Sequence, residues 1–319
     1  MIIMTEISPK TCVVTGGAGF IGSHLCDALL GLGHKVICID NLLTGSEKNI
    51  ELAKQNPNFS FLRHDIVESV PNISGRVDYV FNLASPASPM DFKKLAEEIA
   101  LVNSIGTVHM LQLAQIQGAR YVEASTSEVY GDPKEHPQKE TYFGNVNPNG
   151  VRACYDESKR FAEAITMVYV RKYNLDARII RIFNTYGPRM RKDDGRVVSN
   201  FINQALEGKP LTVFGDGTQT RSFCYVSDLV AGILAIMLAD NLKGEVFNLG
   251  NPEEYTVKDL AQKIKALTHS ASPITFEALP EDDPTQRKPD ITKAKTKLGW
   301  EAKVSVDEGL KKTIEYYRK

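Results

Sequence analysis

Short apolar runs alternate with helix-period segments through the first half of the chain. The runs cover 11–14, 35–39, 59–62, 79–83, 120–124 and 177–182. They are continuous rather than alternating, the pattern of parallel strands buried on both faces. Between them, Ile21, Leu25 and Leu29 recur at helical spacing until Gly31 and Gly33 stop the helix. Two further helical segments are predicted over about 92–117 and 155–173. Strand and helix repeated in this way define an α/β fold, a Rossmann-type doubly wound parallel sheet.

The rhythm changes after about Asn184, where Gly and Pro become frequent. One helix over 226–238, a short strand over 246–249, a helix near 257–267, a Pro- and Asp-rich loop over 280–289 and a last helix near 306–317 are predicted there. The expected organisation is a dinucleotide-binding domain over 1–183, with a segment near 225–250 returning to it. A smaller α/β domain over 184–319 closes over the C-terminal edge of the sheet. No internal repeat stands out.

The length of 319 residues is enough to bury a core without a metal or disulfide. The net charge is -1, which gives no electrostatic reason to expect nucleic acid or an anionic membrane as partner. Five cysteines form no CxxC and point to a reducing compartment. Residues 1–10 read as neither signal peptide nor span, and the longest apolar stretch, 229–239, is broken by Gly232. The six histidines show no metal-ligand spacing, so no metal is expected.

Gly16, Gly19 and Gly22 follow the first strand and open the first helix. Gly16 permits the tight turn, Gly19 lets backbone approach a pyrophosphate and Gly22 allows close helix–sheet packing. The helix N-terminus offers free N–H groups to the phosphates. Asp40 ends the second strand, where an acid hydrogen-bonds an adenosine ribose and repels a 2′-phosphate; NAD is expected over NADP. Asp65 ends the third strand, either at the adenine or as a turn cap.

Tyr155 and Lys159 lie at i, i+4 and share a helix face. A phenol, with a pKa of about 10, is a poor base until a nearby cation favours the phenolate. Tyr155 would then take a proton from a substrate hydroxyl while the adjacent carbon gives up hydride. The fifth strand runs out through Thr126, Ser127 and Glu128 into the ligand crevice. Thr126 can share a hydrogen bond with Tyr155, and Glu128 places a carboxylate where a proton could move; Ser and Thr as turn formers is the plainer reading.

The glycine turn, Thr126, Tyr155 and Lys159 resemble the extended short-chain dehydrogenase/reductase family, which works mainly on nucleotide sugars. The runs 82–89, 125–133, 152–157, 181–190, 194–201, 212–228 and 287–290 narrow the resemblance to its sugar-nucleotide decarboxylases, over nearly the whole chain. The resemblance implies a redox-neutral conversion of UDP-glucuronate to UDP-xylose through a 4-keto sugar, with catalytic NAD. It assigns the cofactor to Gly16, Gly19, Phe20, Ile21, Asp40, Asn41, Thr44, Gly45, Asp65, Ile66, Leu83, Ala84, Tyr155, Lys159 and Arg196. Ser85 and Ser127 would contact the sugar, and Glu128 and Arg287 would act around the glucuronate. Asn184 and Arg221 would hold the diphosphate, and Val197 and Phe214 the uracil. Related 4,6-dehydratases carry an acid where Ser127 stands, and a serine is a poor proton donor to a departing hydroxyl.

One segment departs from that pattern. Where the decarboxylases carry a tyrosine, an Asn-Pro and a Lys-Thr-Asn, this chain reads Asp91-Phe92-Lys93-Lys94 through Leu101-Val102-Asn103. A 4-epimerase or 4,6-dehydratase on the same scaffold, and a non-catalytic NAD-binding sensor, remain alternatives at this point. The family also implies a homodimer paired through the helices near 92–117 and 155–173. Relatives often carry an N-terminal membrane anchor; none is read here, and a cytoplasmic location is expected.

Overall fold

The computed structural model describes residues 8–279, 284 and 286–319. The readings made for 1–7, and for 280–283 and 285 of the Pro- and Asp-rich loop, lie outside the described residues.

The first half runs β1 (Thr11–Thr15), α1 (Phe20–Gly31), β2 (Lys35–Asp40), β3 (Phe59–Arg63), β4 (Tyr79–Asn82), α2 (Ala96–Leu101), α3 (Thr107–Gln117), β5 (Arg120–Thr126), α4 (Ala153–Tyr173) and β6 (Ala177–Ile182). The rest runs β7 (Thr185–Tyr186), α5 (Val197–Leu206), β8 (Leu211–Phe214), β9 (Thr220–Ser222), β10 (Cys224–Tyr225), α6 (Val226–Leu238), β11 (Val246–Leu249), β12 (Glu254–Thr256), α7 (Val257–Thr268), β13 (Ile274–Glu277), β14 (Gln286–Arg287), α8 (Thr292–Leu298) and α9 (Val306–Arg318).

Seven strands form one parallel sheet in the order β11-β6-β5-β4-β1-β2-β3. The order reverses between β1 and β4, and a crevice opens at such a switch point beyond the strand C-termini. Successive residues of β1 feed opposite faces: Cys12 and Val14 join one core cluster with Leu25 of α1 and Ile233 of α6, and Val13 joins another with Met110 and Leu111 of α3. Both faces are therefore dry, which is why the strands read as unbroken apolar runs. β3 is the exception; it is an edge strand, and Ser60 and Arg63 reach solvent.

The helix expected over 92–117 begins only at Ala96. A short turn over Pro89–Asp91 precedes it, with the Ser88 hydroxyl accepting from the Met90 N–H. Its middle, Val102–Gly106, is π-helical. Gly106 passes close to Ile66, where an added Cβ would meet Ile66 Cδ1 at 2.9 Å. The helical run 96–117 is long and apolar enough to cross a membrane by length and composition; in the fold it flanks the sheet and packs on α4.

More regular structure occurs after Asn184 than the one helix and one strand expected before residue 250. α5 packs directly on α7, both lie against β8, which pairs with β13, and α8 packs beside β11. Part of the expected 280–289 loop is strand: β14 lies parallel to β9 and brings Arg287 beside Arg221. Tyr317 of α9 donates to the Met190 carbonyl at 2.8 Å, which ties the C-terminal helix to the rim of the crevice.

Candidate active site

A cleft of about 1220 Å³ opens over the switch point, and every residue that the sequence points to for cofactor, substrate or chemistry lines it. Its floor is the β1–α1 turn. Gly16 has φ 65°, and a Cβ there would meet the Leu83 carbonyl oxygen at 2.8 Å; a Cβ on Gly22 would stand 2.1 Å from the Gly16 oxygen. Backbone has thus taken the space that side chains would occupy. No side chain caps the N-terminus of α1, so its first N–H groups are left for an anion. This cradle fits the pyrophosphate of a dinucleotide.

Asp40 is buried at the end of β2. Its oxygens accept from the Ala18 N–H (3.0 Å) and the Leu42 N–H (2.8 Å), which locks the glycine turn to the next loop. Burial raises its pKa and the two backbone hydrogen bonds oppose that rise. Each carboxylate oxygen keeps lone pairs for ribose hydroxyls. Asp65 serves a local turn: it accepts from the Val67 N–H and from Asn41 Nδ2 at 2.9 Å. Phe20, Ile21, Asn41, Thr44, Gly45, Ile66, Leu83 and Ala84 wall the same end of the cleft.

The chemical residues meet at the C-terminal end of β5 and the start of α4. Thr126 ends β5, and its hydroxyl accepts from the Glu128 N–H at 3.2 Å. Tyr155 is buried and stacked on Phe92 with ring centroids 5.2 Å apart. Burial pushes the phenol up to about 12, against the hydrogen bond from Thr126. Lys159 donates to the Ala124 carbonyl at 2.7 Å. Its burial pulls it toward the neutral amine, and Glu123 pulls it back.

Glu128 is held by two guanidinium groups. Arg152 Nη2 lies 2.7 Å and Arg287 Nη2 3.3 Å from its Oε2. Burial opposes its charge, but Arg287 and Arg152 outweigh burial and hold the carboxyl down to about 2. It is therefore an anion at neutral pH, too weak a base to take up a proton readily and without one to donate. Arg287 is fully buried and also donates to the Ser127 and Gly131 carbonyls. Behind them, burial and then the Glu128 charge push Asp156 up to about 8. One carboxyl of this pair is charged and the other neutral.

The far wall carries Ser85, Asn184, Arg196, Val197, Phe214 and Arg221. Arg196 is clamped by Asp194 at 2.5 Å. Arg221 donates to the Thr220 carbonyl at 2.9 Å and to the Pro284 carbonyl at 2.5 Å. Sequence reasoning missed four contributors: Phe92, Arg152, Asp156 and Glu123. Phe92 and Arg152 need the tertiary fold to be seen. Glu123 was legible as an acid inside an otherwise apolar central strand.

The fold and this cleft define a class. Residues 12–250 match the NAD dependent epimerase/dehydratase family, and the chain belongs to it. Within that family it groups with the UDP-glucuronic acid decarboxylases. It is 53% identical to UDP-glucuronic acid decarboxylase 1 of Arabidopsis thaliana over 96% of this chain and 69% of that protein. It is 51% identical to UDP-glucuronic acid decarboxylase 1 of Xenopus tropicalis over 99% of this chain and 74% of that protein. A solved structure of UDP-glucuronic acid 4-epimerase from Bacillus cereus, in complex with UDP-glucuronic acid and NAD, superposes with a TM-score of 0.88. It is 32% identical and covers 97% of this chain and 99% of that one.

Proposed function

We propose that this cleft converts UDP-glucuronate to UDP-xylose and carbon dioxide with NAD as a catalytic cofactor. The observation that carries the reading is the convergence of Thr126, Tyr155 and the Arg287–Glu128–Arg152 cluster in the cleft whose floor is the glycine turn. The α1 N-terminus, Gly16 and Gly19 would cradle the pyrophosphate, and Asp40 the ribose. Bound there, NAD would supply a reversible hydride acceptor for C4 of the sugar, which would make turnover redox-neutral.

The residues of the chain manage protons and charge. Tyr155 accepts the O4 proton, with Thr126 sharing the hydrogen bond. The 4-keto sugar is then a β-keto acid. The C5–C6 bond breaks, carbon dioxide leaves, and the electron pair passes to the C4 oxygen as an enolate. Tyr155, now a phenol, and Thr126 donate to that oxygen. Arg287 orients the departing carboxylate, and Glu128 fixes Arg287. C5 then takes a proton from solvent water, and the proton held by Tyr155 returns to O4 when C4 is reduced. Arg221 and Asn184 hold the diphosphate, for which a guanidinium is suited. Ser127 offers no acid for expelling a 6-hydroxyl, which favours decarboxylation over dehydration.

The test is anaerobic incubation with UDP-glucuronate and NAD, followed by NMR and carbon dioxide release. UDP-xylose equal to carbon dioxide, with no net NADH, is expected. UDP-galacturonate without carbon dioxide would instead establish epimerisation.

A homodimer is part of the same proposal. Ile105 and Ile116 on the 96–117 run, and Phe161 and Val168 on α4, expose 43%, 75%, 45% and 41% of their surface. Apolar residues gathered on two adjacent helices favour a second copy as partner. Light scattering of the parent and of Phe161→Glu measures it; a monomeric parent would refute it.

A further inference from the structure

Glu123 sits in the middle of β5, three residues before Thr126, and is fully buried. A buried carboxylate is costly unless it is paired and hydrogen-bonded. One of its oxygens is well served. Oε2 accepts from the Tyr121 hydroxyl at 2.5 Å and from Asn82 Nδ2 at 2.9 Å. Asn82 is itself fixed, accepting from Thr15 at 2.7 Å and approaching the Thr107 hydroxyl at 3.3 Å. The second oxygen, Oε1, makes no hydrogen bond. It faces Lys159 Nζ at 3.7 Å.

We propose that Glu123 is a positioning residue for the reaction, acting through Lys159: its carboxylate is the counter-charge that keeps the buried ammonium charged in the cofactor cleft, one helical turn from Tyr155. This rests on the decarboxylase reading only for what the ammonium then does.

The surrounding charges favour this pairing. Glu163, on the same helix as Lys159, is already bound by Arg181 Nη2 of β6 at 2.7 Å and by the Ser125 hydroxyl at 2.6 Å. The Tyr121 phenol beside Glu123 is driven further toward its neutral form by burial and by that carboxylate. Burial raises Glu123 and lowers Lys159, and each partner pulls the other back toward its charged form. Such a pair titrates as a unit. Lys159 matters because burial has already pushed the Tyr155 phenol up to about 12, and a neutral amine would offer the phenolate no help. Tyr121 and Asn82, in turn, aim the carboxylate.

Glu123→Gln keeps an oxygen for Tyr121 and Asn82 and removes only the charge. The alkaline limb of the kcat/KM profile for decarboxylation is expected to move down by at least one pH unit, with KM for the sugar nucleotide little changed at the optimum. An unmoved limb in a folded variant would overturn the proposal. A second measurement needs neither activity nor cofactor. Thermal melting from pH 5 to pH 9 is compared for the effect of Glu123→Gln in the parent and in Lys159→Met. Without Lys159 the Glu123 pKa rises further above its unfolded value, so its contribution is lost as pH rises. Glu123→Gln should therefore become progressively more favourable with pH in the Lys159→Met background and much less so in the parent. Equal pH trends in the two backgrounds would mean that the two charges are uncoupled. A chain that released no carbon dioxide would sink the decarboxylase reading, and the melting comparison would still decide the pair.

Discussion

Gly22→Ala places a methyl group in the tightest spot of the cofactor cradle. Its Cβ would stand 2.1 Å from the Gly16 carbonyl oxygen and 2.8 Å from Gly17 Cα. A carbon and a carbonyl oxygen in contact sit roughly 3.3 Å apart, so the turn and the helix must separate by about 1 Å. Overpacking of this kind costs about 1–3 kcal/mol. For 319 residues, at about 2.1 cal/mol/K per residue, that lowers Tm by about 1.5–4.5 °C. The larger effect is on the cofactor. Losing one charge-assisted hydrogen bond from the displaced N–H groups costs about 1.5–3 kcal/mol, or about 10- to 150-fold in NAD affinity. Gly31→Ala, at the other end of α1, is the control: nothing lies within 4 Å of its Cβ, so NAD affinity should be unchanged and Tm not lowered. Calorimetric titration with NAD and melting of the three proteins provide the assay. A Gly22→Ala protein that binds NAD like the parent would refute the close-approach reasoning.

Tyr155→Phe keeps the stack on Phe92 and removes only the hydroxyl. It should lower kcat by about 100- to 10,000-fold at unchanged Tm, and a loss under tenfold would remove Tyr155 from its role. Glu128 is depressed from 4.5 to about 2, so its stabilising contribution is present above pH 4.5 and disappears as pH falls through 2. Glu128→Gln should forfeit up to about 3 kcal/mol at pH 7 and progressively less toward pH 3, by denaturant titration; a difference independent of pH would contradict the two-arginine clamp. Asp156 is raised from 3.8 to about 8, so its contribution is lost as pH rises toward 8. Asp156→Asn should gain stability relative to the parent between pH 5 and pH 9, and a flat difference would mean the carboxyl is not held neutral.

The parallel sheet is readable because β1, β2, β4, β5 and β6 are mostly buried and dominated by apolar residues, and the glycine turn follows β1 at a fixed offset. The helix expected from residue 92 starts later, at Ala96, because Ser88 and Pro89 begin a separate turn. Its π-helical middle reflects a close pass of Gly106 over Ile66, a tertiary contact with no local signature. α5 does carry helical spacing, at Val197, Val198, Phe201, Ile202 and Ala205, but the glycines and prolines around it dominated the reading. β7, β9, β10 and β14 have two or three residues each, too few for any period to show. The Arg152–Glu128–Arg287 cluster joins residues far apart in sequence, and the pairing of β14 with β9, with Gln138 holding residues 288–290, brings Arg287 to the site.

β11 has a consequence for how the chain is made. It is the seventh strand of the sheet, yet it is encoded after α6 and nearly four-fifths of the way along the chain. Until Val246–Leu249 leaves the ribosome, β6 presents a row of unpaired N–H and C=O groups. A nascent chain stalled or truncated before that point would leave that edge open to other chains, a natural client for a chaperone. Completion of the last strand, rather than of the glycine turn, then replaces the six-residue edge of β6 with a four-residue one that α8 flanks and Lys293 caps at the Val246 carbonyl.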